Sequence, residues 1–307
     1  MQVSFIVPLY NCLELTKAML GSLHATLPAG LPHEIILVDD GSTDGTREWL
    51  ATLGPNHLAL ANEKNLGYAA SNNRGAAVAR GDILTLLNND LILTPGWFEP
   101  MAAILERFPK AGVVGNVQLN ARTGVVDHCG IYYNARGIPT HDRTQAPKAP
   151  CADRPVFAAT GACMLVARAR FMALNGFDEI YRNGCEDVDL CLRARAAGGQ
   201  NYVALDSVVH HHVSSSPGRN LHNIRNAYLL MRRWREQIPG LAAESWREPA
   251  LRDDWEEKLT GWPRLRARLL KPWLRGPNRA CPPWIRRATA RAVDRQLKSW
   301  QRLFPEA

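Results

Sequence analysis

The chain has 307 residues, 46% of them hydrophobic and 21% charged, with a formal net charge of +8. Such a chain buries one large core or two modest ones and has the composition of a globular protein. No apolar run reaches the roughly 20 residues of a bilayer span, and the N-terminus MQVSFIVPLY, without a basic region or a cleavage-like end, reads as a first strand rather than a secretory signal.

Taken in order, Val3–Val7 is an apolar strand that ends at Pro8-Leu9-Tyr10-Asn11. Leu13–Leu27 has helical spacing at Leu15, Met19, Leu20, Leu23 and Leu27. Ile35–Val38 is a second buried strand ending at Asp39-Asp40-Gly41-Ser42, and Thr43–Leu53 reads as a capped helix with Asp44 in its first turn. Leu58–Leu60 is a short strand, Asn65-Leu66-Gly67 a turn, and Tyr68–Arg80 an Ala-rich helix. Ile83–Leu87 is a buried strand that stops at Asn88-Asn89-Asp90, before a second apolar run, Leu91–Leu93. A helix over Gly96–Phe108 and a strand over Ala111–Val117 complete an alternating order that predicts a mostly parallel α/β sheet flanked by helices. Parallel strands point the same way, so the polar clusters 8–11, 39–42 and 88–90 are expected on one rim, where open α/β sheets bind ligands. Asn and Asp also serve simply as turn formers. The glycines form neither GxGxxG nor GxxxxGK[ST], which disfavours a dinucleotide-binding oxidoreductase and a P-loop enzyme.

Beyond Asn120 the pattern loosens. Thr140–Pro155 reads as a Pro-rich loop, and Val156–Val166 encloses the small residues Thr160-Gly161-Ala162. Arg168–Gly176 is a short helix, followed by Phe177-Asp178-Glu179. A further helix begins near Glu186, placing Glu186 and Asp187 in a first turn where acids are favoured for the dipole alone, or where a carboxylate projects to the rim as a general base. After a strand at Tyr202–Leu205, VVHHHVSSS puts three histidines in a row, which cannot all face one way. Imidazole is a common metal ligand; zinc on Cys185, Cys191 and these histidines is a rival, but its spacing matches no finger. The seven cysteines are scattered and form no CxxC pair, which argues for free thiols in a reducing, cytoplasmic compartment.

The motifs VPLYN, VDDGSTDGT, NLGYAASNNRG, LLNND, TGACMLV, GFDE and CEDVDLCLR, followed by the histidine cluster, stand in the order seen in family 2 of the glycosyltransferases, which the chain resembles over about residues 1–216. The match is best to bacterial enzymes of surface-polysaccharide synthesis, rhamnosyltransferase-like members among them. The resemblance implies a GT-A fold and an inverting transfer of sugar from a nucleoside-diphosphate donor to a glycan or lipid-linked acceptor, with Mn²⁺ or Mg²⁺ as cofactor. It implies that Pro8, Tyr10, Asp39 and Asp40 form the base and ribose pocket, with Asp40 the base contact, and that Asn65, Gly67, Asn88 and Asn89 lie along the nucleotide-sugar. Asp90 would be the metal ligand with His211, or its neighbour His212. Asp187 would be the catalytic base with Glu186 beside it, and Gly161 and Asp178 would lie on the acceptor side. Asn88 replaces the first Asp of the family's DxD motif, so metal affinity is expected to be modest. Processive members carry QxxRW and membrane spans; Arg233-Trp234 is present here, but Leu230 stands in place of Gln, which points to single addition.

Two rivals share parts of this pattern: a nucleotidyltransferase, which would want a basic, Gly-rich loop where VPLYNC stands, and a non-catalytic scaffold that binds sugar-nucleotide or glycan. A compositional shift at Pro239-Gly240 suggests a catalytic domain over 1–239 and a basic helical extension over 240–307. Between Arg264 and Arg302 lie twelve Lys/Arg against the single acid Asp294, and six of the nine Trp lie beyond residue 240. Apolar stripes expected at Leu265, Leu269, Leu270 and Trp273, and at Ile285, Ala288, Ala292 and Leu297, suit peripheral docking on the inner face of an anionic membrane, or packing against protein. Nucleic acid is not an expected partner, because the tail lacks a recognised motif.

Overall fold

The computed structural model describes residues 1–134, 136–143, 153–212, 222–245 and 282–304. These fold into two compact units, one of Met1–Ile131 with His141–Asn223, the other of Tyr132–Thr140 with Ile224–Ala307. The division falls at 223/224, whereas the compositional shift at Pro239-Gly240 lies inside a helix, Ile238–Ser245. Composition changes where surface charge changes; packing changes earlier, at an amphipathic helix whose Tyr228, Leu229, Leu230 and Met231 are buried.

In the first unit, β1 (Val3–Leu9), α1 (Leu13–Thr26), β2 (His33–Asp39), α2 (Thr46–Leu50), β3 (His57–Ala61), α3 (Tyr68–Val78) and β4 (Ile83–Leu87) alternate as predicted, and β3-β2-β1-β4 run parallel. β5 (Leu91–Leu93), α4 (Phe98–Arg107), β6 (Ala111–Asn120) and β7 (Val126–His128) follow; β8 (Ile131–Tyr133) and β9 (Pro139–His141), which pair with each other, belong for the most part to the second unit. β10 (Asp153–Val156), β11 (Cys163–Ala167), α5 (Arg168–Ala173), α6 (Glu186–Ala196) and β12 (Gln200–His211) complete the sheet in the order β10-β12-β6-β11-β4-β1-β2-β3. β11 inserts antiparallel between β4 and β6, so the sheet changes direction beside the end of β4.

Alternation along β1 sends Phe5, Val7 and Leu9 into a core with Met19, Leu20 and Leu23 of α1 and with Trp97 and Phe98 at α4. On the other face α3 lies close, because a side chain at Gly75 would strike Ile6. The expected helix over Thr43–Leu53 is shorter. Gly45 takes φ +88° at its start, and Asp44 stands before it, accepting from Thr46 Oγ1 at 2.6 Å and from Leu13 N–H at 2.9 Å.

The second unit contains α7 (Asn223–Arg233), α8 (Ile238–Ser245) and α9 (Pro283–Gln301). Its core gathers Tyr133, Met231, Trp234, Ile238, Ala242, Ile285 and Val293. The buried stripe of α9 is Ile285, Thr289 and Val293, an i, i+4 series, rather than the expected Ile285, Ala288, Ala292 and Leu297; Ala288 is exposed. That stripe packs on protein, with α9 against α8. The other expected stripe, Leu265–Trp273, lies outside the described residues. Among the described residues no helix is long and apolar enough to cross a membrane.

Candidate active site

The three polar clusters meet as parallel strands require. Asn11 N–H donates to Ser42 Oγ at 2.8 Å, Thr43 N–H to Asn11 Oδ1 at 2.8 Å, and Asn89 Nδ2 to Thr16 Oγ1 at 2.9 Å and Asn11 O at 3.3 Å. Asn11 and Cys12 both hold positive φ, 55° and 62°, a strained turn of the kind found at ligand sites. Asn89 thus fastens the rim, its amide donor engaged by protein.

Asp39 and Asp40 are buried and fully engaged. Asp39 Oδ1 accepts from Ser42 N–H at 2.9 Å, and its Oδ2 pairs with Arg47 at 2.8 Å. Asp40 Oδ1 accepts from Leu66 N–H at 2.8 Å and Asn62 Nδ2 at 2.7 Å, and Oδ2 from Gly67 N–H at 2.8 Å. A buried carboxylate needs such donors. Asp40 therefore fixes the Asn65–Gly67 turn. Gly41 is required here: at φ +80° a side chain would meet Asn65 N at 2.9 Å. Pro8 is half-buried, Tyr10 exposed, and Asn65 and Asn88 half-buried at the same rim.

At the end of β4, Asp90 meets β12. Antiparallel pairing sets His211 opposite Leu91 and His210 opposite Ile92, so alternation buries His211 beside Asp90 while His210 faces the other way. His211 Nε2 lies 3.2 Å from Asp90 Oδ1, yet neither atom, nor His211 Nδ1, has a hydrogen-bond partner. Orphaned buried polar atoms are unfavourable by about 1–3 kcal/mol each. An oxygen and a nitrogen so placed are the donors a divalent cation takes, so the residues fit the implied metal. Among the described residues no cluster of three His, Cys, Asp or Glu is arranged for a metal. His212 meets Asp90 through its main chain, N–H to O at 3.0 Å.

The base candidate is delivered by a second strained turn. Asn183, Gly184 and Cys185 hold φ of 54°, 144° and 74° immediately before α6. Glu186 is buried and its Oε2 accepts from Gly184 N–H at 2.6 Å, so it braces this turn. Asp187 is half-buried, with Oδ1 on Val188 N–H at 2.8 Å and Oδ2 on Gly161 N–H at 2.9 Å. Burial and the neighbouring Asp187, Glu186 and Asp189 push the Cys185 thiol well above its ordinary range. Asp178 accepts from Ile180 N–H at 3.0 Å within its own turn, which Asn73 clamps to α3 through Phe177 N–H and O.

Residues 160–162 tie these parts together. Thr160 N–H donates to His128 Nε2 at 3.3 Å, Gly161 N–H to Asp187, and Asn88 N–H to Ala162 O at 2.8 Å. Tyr68 Oη donates to Gly161 O at 2.6 Å, and Tyr68 N–H to Asn183 Oδ1 at 3.1 Å. Burial, then the fields of Glu186 and Asp187, keep the Tyr68 phenol un-ionised. Tyr68, Asn183 and His128 escaped the sequence reading. Tyr68 is the first residue after Gly67, and its place at a helix start was the available signal; nothing in the sequence pairs His128 with Thr160.

The pattern of the family "Glycosyl transferase family 2" matches residues 4–155. The chain is 30% identical over 220 residues to the N-acetylglucosaminyl-diphospho-decaprenol L-rhamnosyltransferase of Mycobacterium tuberculosis, covering 62% of this chain and 69% of that protein. This chain belongs to glycosyltransferase family 2. It is also 30% identical over 230 residues to the O-antigen biosynthesis protein RfbC of Myxococcus xanthus, over 70% of this chain and 18% of RfbC. The chain spans 27% and 18% of the length of the first two curated relatives it matches. In fold it is similar to GalNAc-T7, solved with UDP, GalNAc and Mn²⁺, with a TM-score of 0.65, 15% identity, and 89% of this chain and 56% of that one covered. The fold is that of the GT-A glycosyltransferases.

Proposed function

We propose that this family 2 member is an inverting glycosyltransferase that moves a sugar from a nucleoside-diphosphate donor to a hydroxyl of a glycan or lipid-linked acceptor in cell-surface polysaccharide synthesis. The observation that carries the reading is the 160–162 segment, whose consecutive residues hold Asp187 on one side and Asn88, two residues from the Asp90–His211 pair, on the other. A general base and a diphosphate-binding pair on one short strut are what a sugar transfer needs. The lipid-linked acceptor rests on the mycobacterial relative's name, and the use of Mn²⁺ or Mg²⁺ on the GalNAc-T7 complex.

Asp90 and His211 would hold the cation. When bound, it supplies positive charge for the diphosphate that leaves. Tyr10 and Asn88, at the ends of β1 and β4, and Asn65, on the turn that Asp40 fixes, would line the nucleotide's side of the rim. The acceptor hydroxyl attacks from the face opposite the leaving group, so the anomeric configuration inverts, and Asp187 takes its proton. A carboxylate is a weak base, sufficient where the proton leaves late in an oxocarbenium-like transition state. Gly161 N–H orients that carboxylate through Oδ2. Cys163, Cys185 and Cys191 are buried or half-buried thiols, in keeping with a cytoplasmic place for the reaction.

The test is a donor screen of the full chain: nucleotide-sugars with Mn²⁺ or Mg²⁺, reading release of nucleoside diphosphate. Release above background with at least one donor is expected. Tight donor binding without any turnover would favour the scaffold, and release of pyrophosphate a nucleotidyltransferase.

A further inference from the structure

The outward face of α9 carries a line of cations. Arg287, Arg291, Arg295 and Lys298 are exposed, and Arg302 continues the line one residue past the helix end. Trp284, 48% exposed, starts it. At 100° per residue these positions share an arc of about 80°, opposite Ile285, Thr289 and Val293. The row is about 27 Å long, with a cation at nearly every turn. The acid of this helix, Asp294, flanks the arc about 20° beyond its edge and pairs with Arg235 at 2.9 Å. Among the described residues no carboxylate pairs with any cation of the row.

We propose that this row is an electrostatic docking surface for an anionic lipid bilayer. Like charges one helical turn apart repel, so a row of them is unfavourable unless an opposite charge faces it. A bilayer headgroup plane supplies negative charge along the full length of a straight row. Each cation near such a surface strengthens attachment several-fold, so the row suffices for reversible attachment. Trp284 suits the headgroup boundary, where an amphipathic ring meets both phases. The apolar stripe of α9 is buried in its own unit and is not available for insertion, so attachment runs through charge. This deepens the reading of a lipid-linked acceptor and rests on it for its purpose, though not for its test.

The experiment is flotation of the full chain with phosphatidylcholine vesicles, with and without phosphatidylglycerol, at low and high salt. Wild type should float only with phosphatidylglycerol and be released by salt, since exposed charges are screened within about 8 Å at physiological ionic strength. The R287E/R291E/R295E variant should bind on the order of 100-fold more weakly, with unchanged circular dichroism and unchanged donor hydrolysis. R287Q/R291Q/R295Q serves if charge reversal impairs folding, and should bind at least tenfold more weakly. Equal binding to neutral vesicles, or wild-type binding by a folded triple variant, would overturn the proposal. Binding to duplex DNA with none to vesicles would overturn it in favour of nucleic acid. Donor hydrolysis separates the outcomes: a chain that floats but never turns over leaves the docking surface standing and removes the enzyme.

Discussion

Asp187 accepts the N–H of Gly161 at 2.9 Å, and Gly161 O accepts the hydroxyl of Tyr68 at 2.6 Å, so one glycine couples the start of α6 to the start of α3. A side chain at Gly161 would stand 2.8 Å from Tyr68 Oη, which explains why the residue there is the smallest one. Tyr68→Phe removes the phenol and leaves Gly161 O without that partner, at a cost of about 1–2 kcal/mol in stability. The expected kinetic result is a kcat lowered roughly 10-fold, since a loosened Gly161 no longer holds the base, with nucleoside diphosphate affinity unchanged. Calorimetric titration of the nucleotide beside steady-state rates measures both.

Asp187→Asn keeps an oxygen for Gly161 N–H and should fold normally. Transfer should fall on the order of 10²-fold or more, as losses of a general base do, while donor binding stays within about twofold. Glu186→Gln retains an acceptor for Gly184 N–H and is expected to act through the 183–185 turn, with a smaller loss. Transfer surviving in the first variant and vanishing in the second would exchange the two roles.

The Asp90–His211 pair predicts cation dependence. EDTA should abolish turnover and Mn²⁺ restore it, and Mn²⁺ with nucleoside diphosphate should raise the thermal midpoint of wild type. Asp90→Ala and His211→Ala should each lose that rise, while His212→Ala, whose contact to Asp90 is main-chain, should keep it. Full turnover in EDTA would remove the metal from the reaction.

Much of this site is legible as strand ends. Parallel strands stop on one rim, so Asn11, Ser42 and Asn89 could be expected together, and they share hydrogen bonds. The resemblance favours His211 over His212, but the burial of His211 beside Asp90 comes from the register of β12 with β5, which three identical neighbours in sequence cannot reveal. The engagement of Asp40 was hidden because its partners are the Asn62 side chain and two backbone N–H groups of a turn 26 and 27 residues away. The antiparallel entry of β11 was equally hidden: a short apolar run carries no direction. In the tail, Thr289 in place of Ala288 on the buried face shows the limit of reading a stripe from apolar residues alone.

His128 predicts an acid limb in stability. Its ring is buried, which lowers its pKa well below 6.5, with His141, His211 and Arg154 acting the same way and Asp142 opposing them. The neutral ring accepts Gly130 and Thr160 N–H through Nε2. On acidification the unfolded chain therefore takes the proton first. Stability should decline as pH falls below about 6.5 and level off once the folded ring also protonates. Thermal midpoints of wild type and His128→Gln across this range should converge as pH falls; parallel curves would show that His128 contributes nothing to the limb.

The turn between β8 and β9 tests the packing of the second unit. Gly137 has φ +74°, and a side chain there would lie 2.7 Å from Val293 and 2.8 Å from Ile238. Gly137→Ala therefore combines a left-handed backbone with overpacking against α8 and α9. Left-handed strain and core overpacking are each worth about 1–3 kcal/mol. The expected outcome is a second unit that melts earlier, seen as loss of protection from proteolysis in α9, while Mn²⁺ and nucleotide still stabilise the first. Val293→Ala in the same background opens space beside the new methyl and should recover part of the loss. An unchanged melting curve for Gly137→Ala would mean that the 136–139 turn is not seated on α9, and the buried stripe Ile285, Thr289 and Val293 would then need another partner.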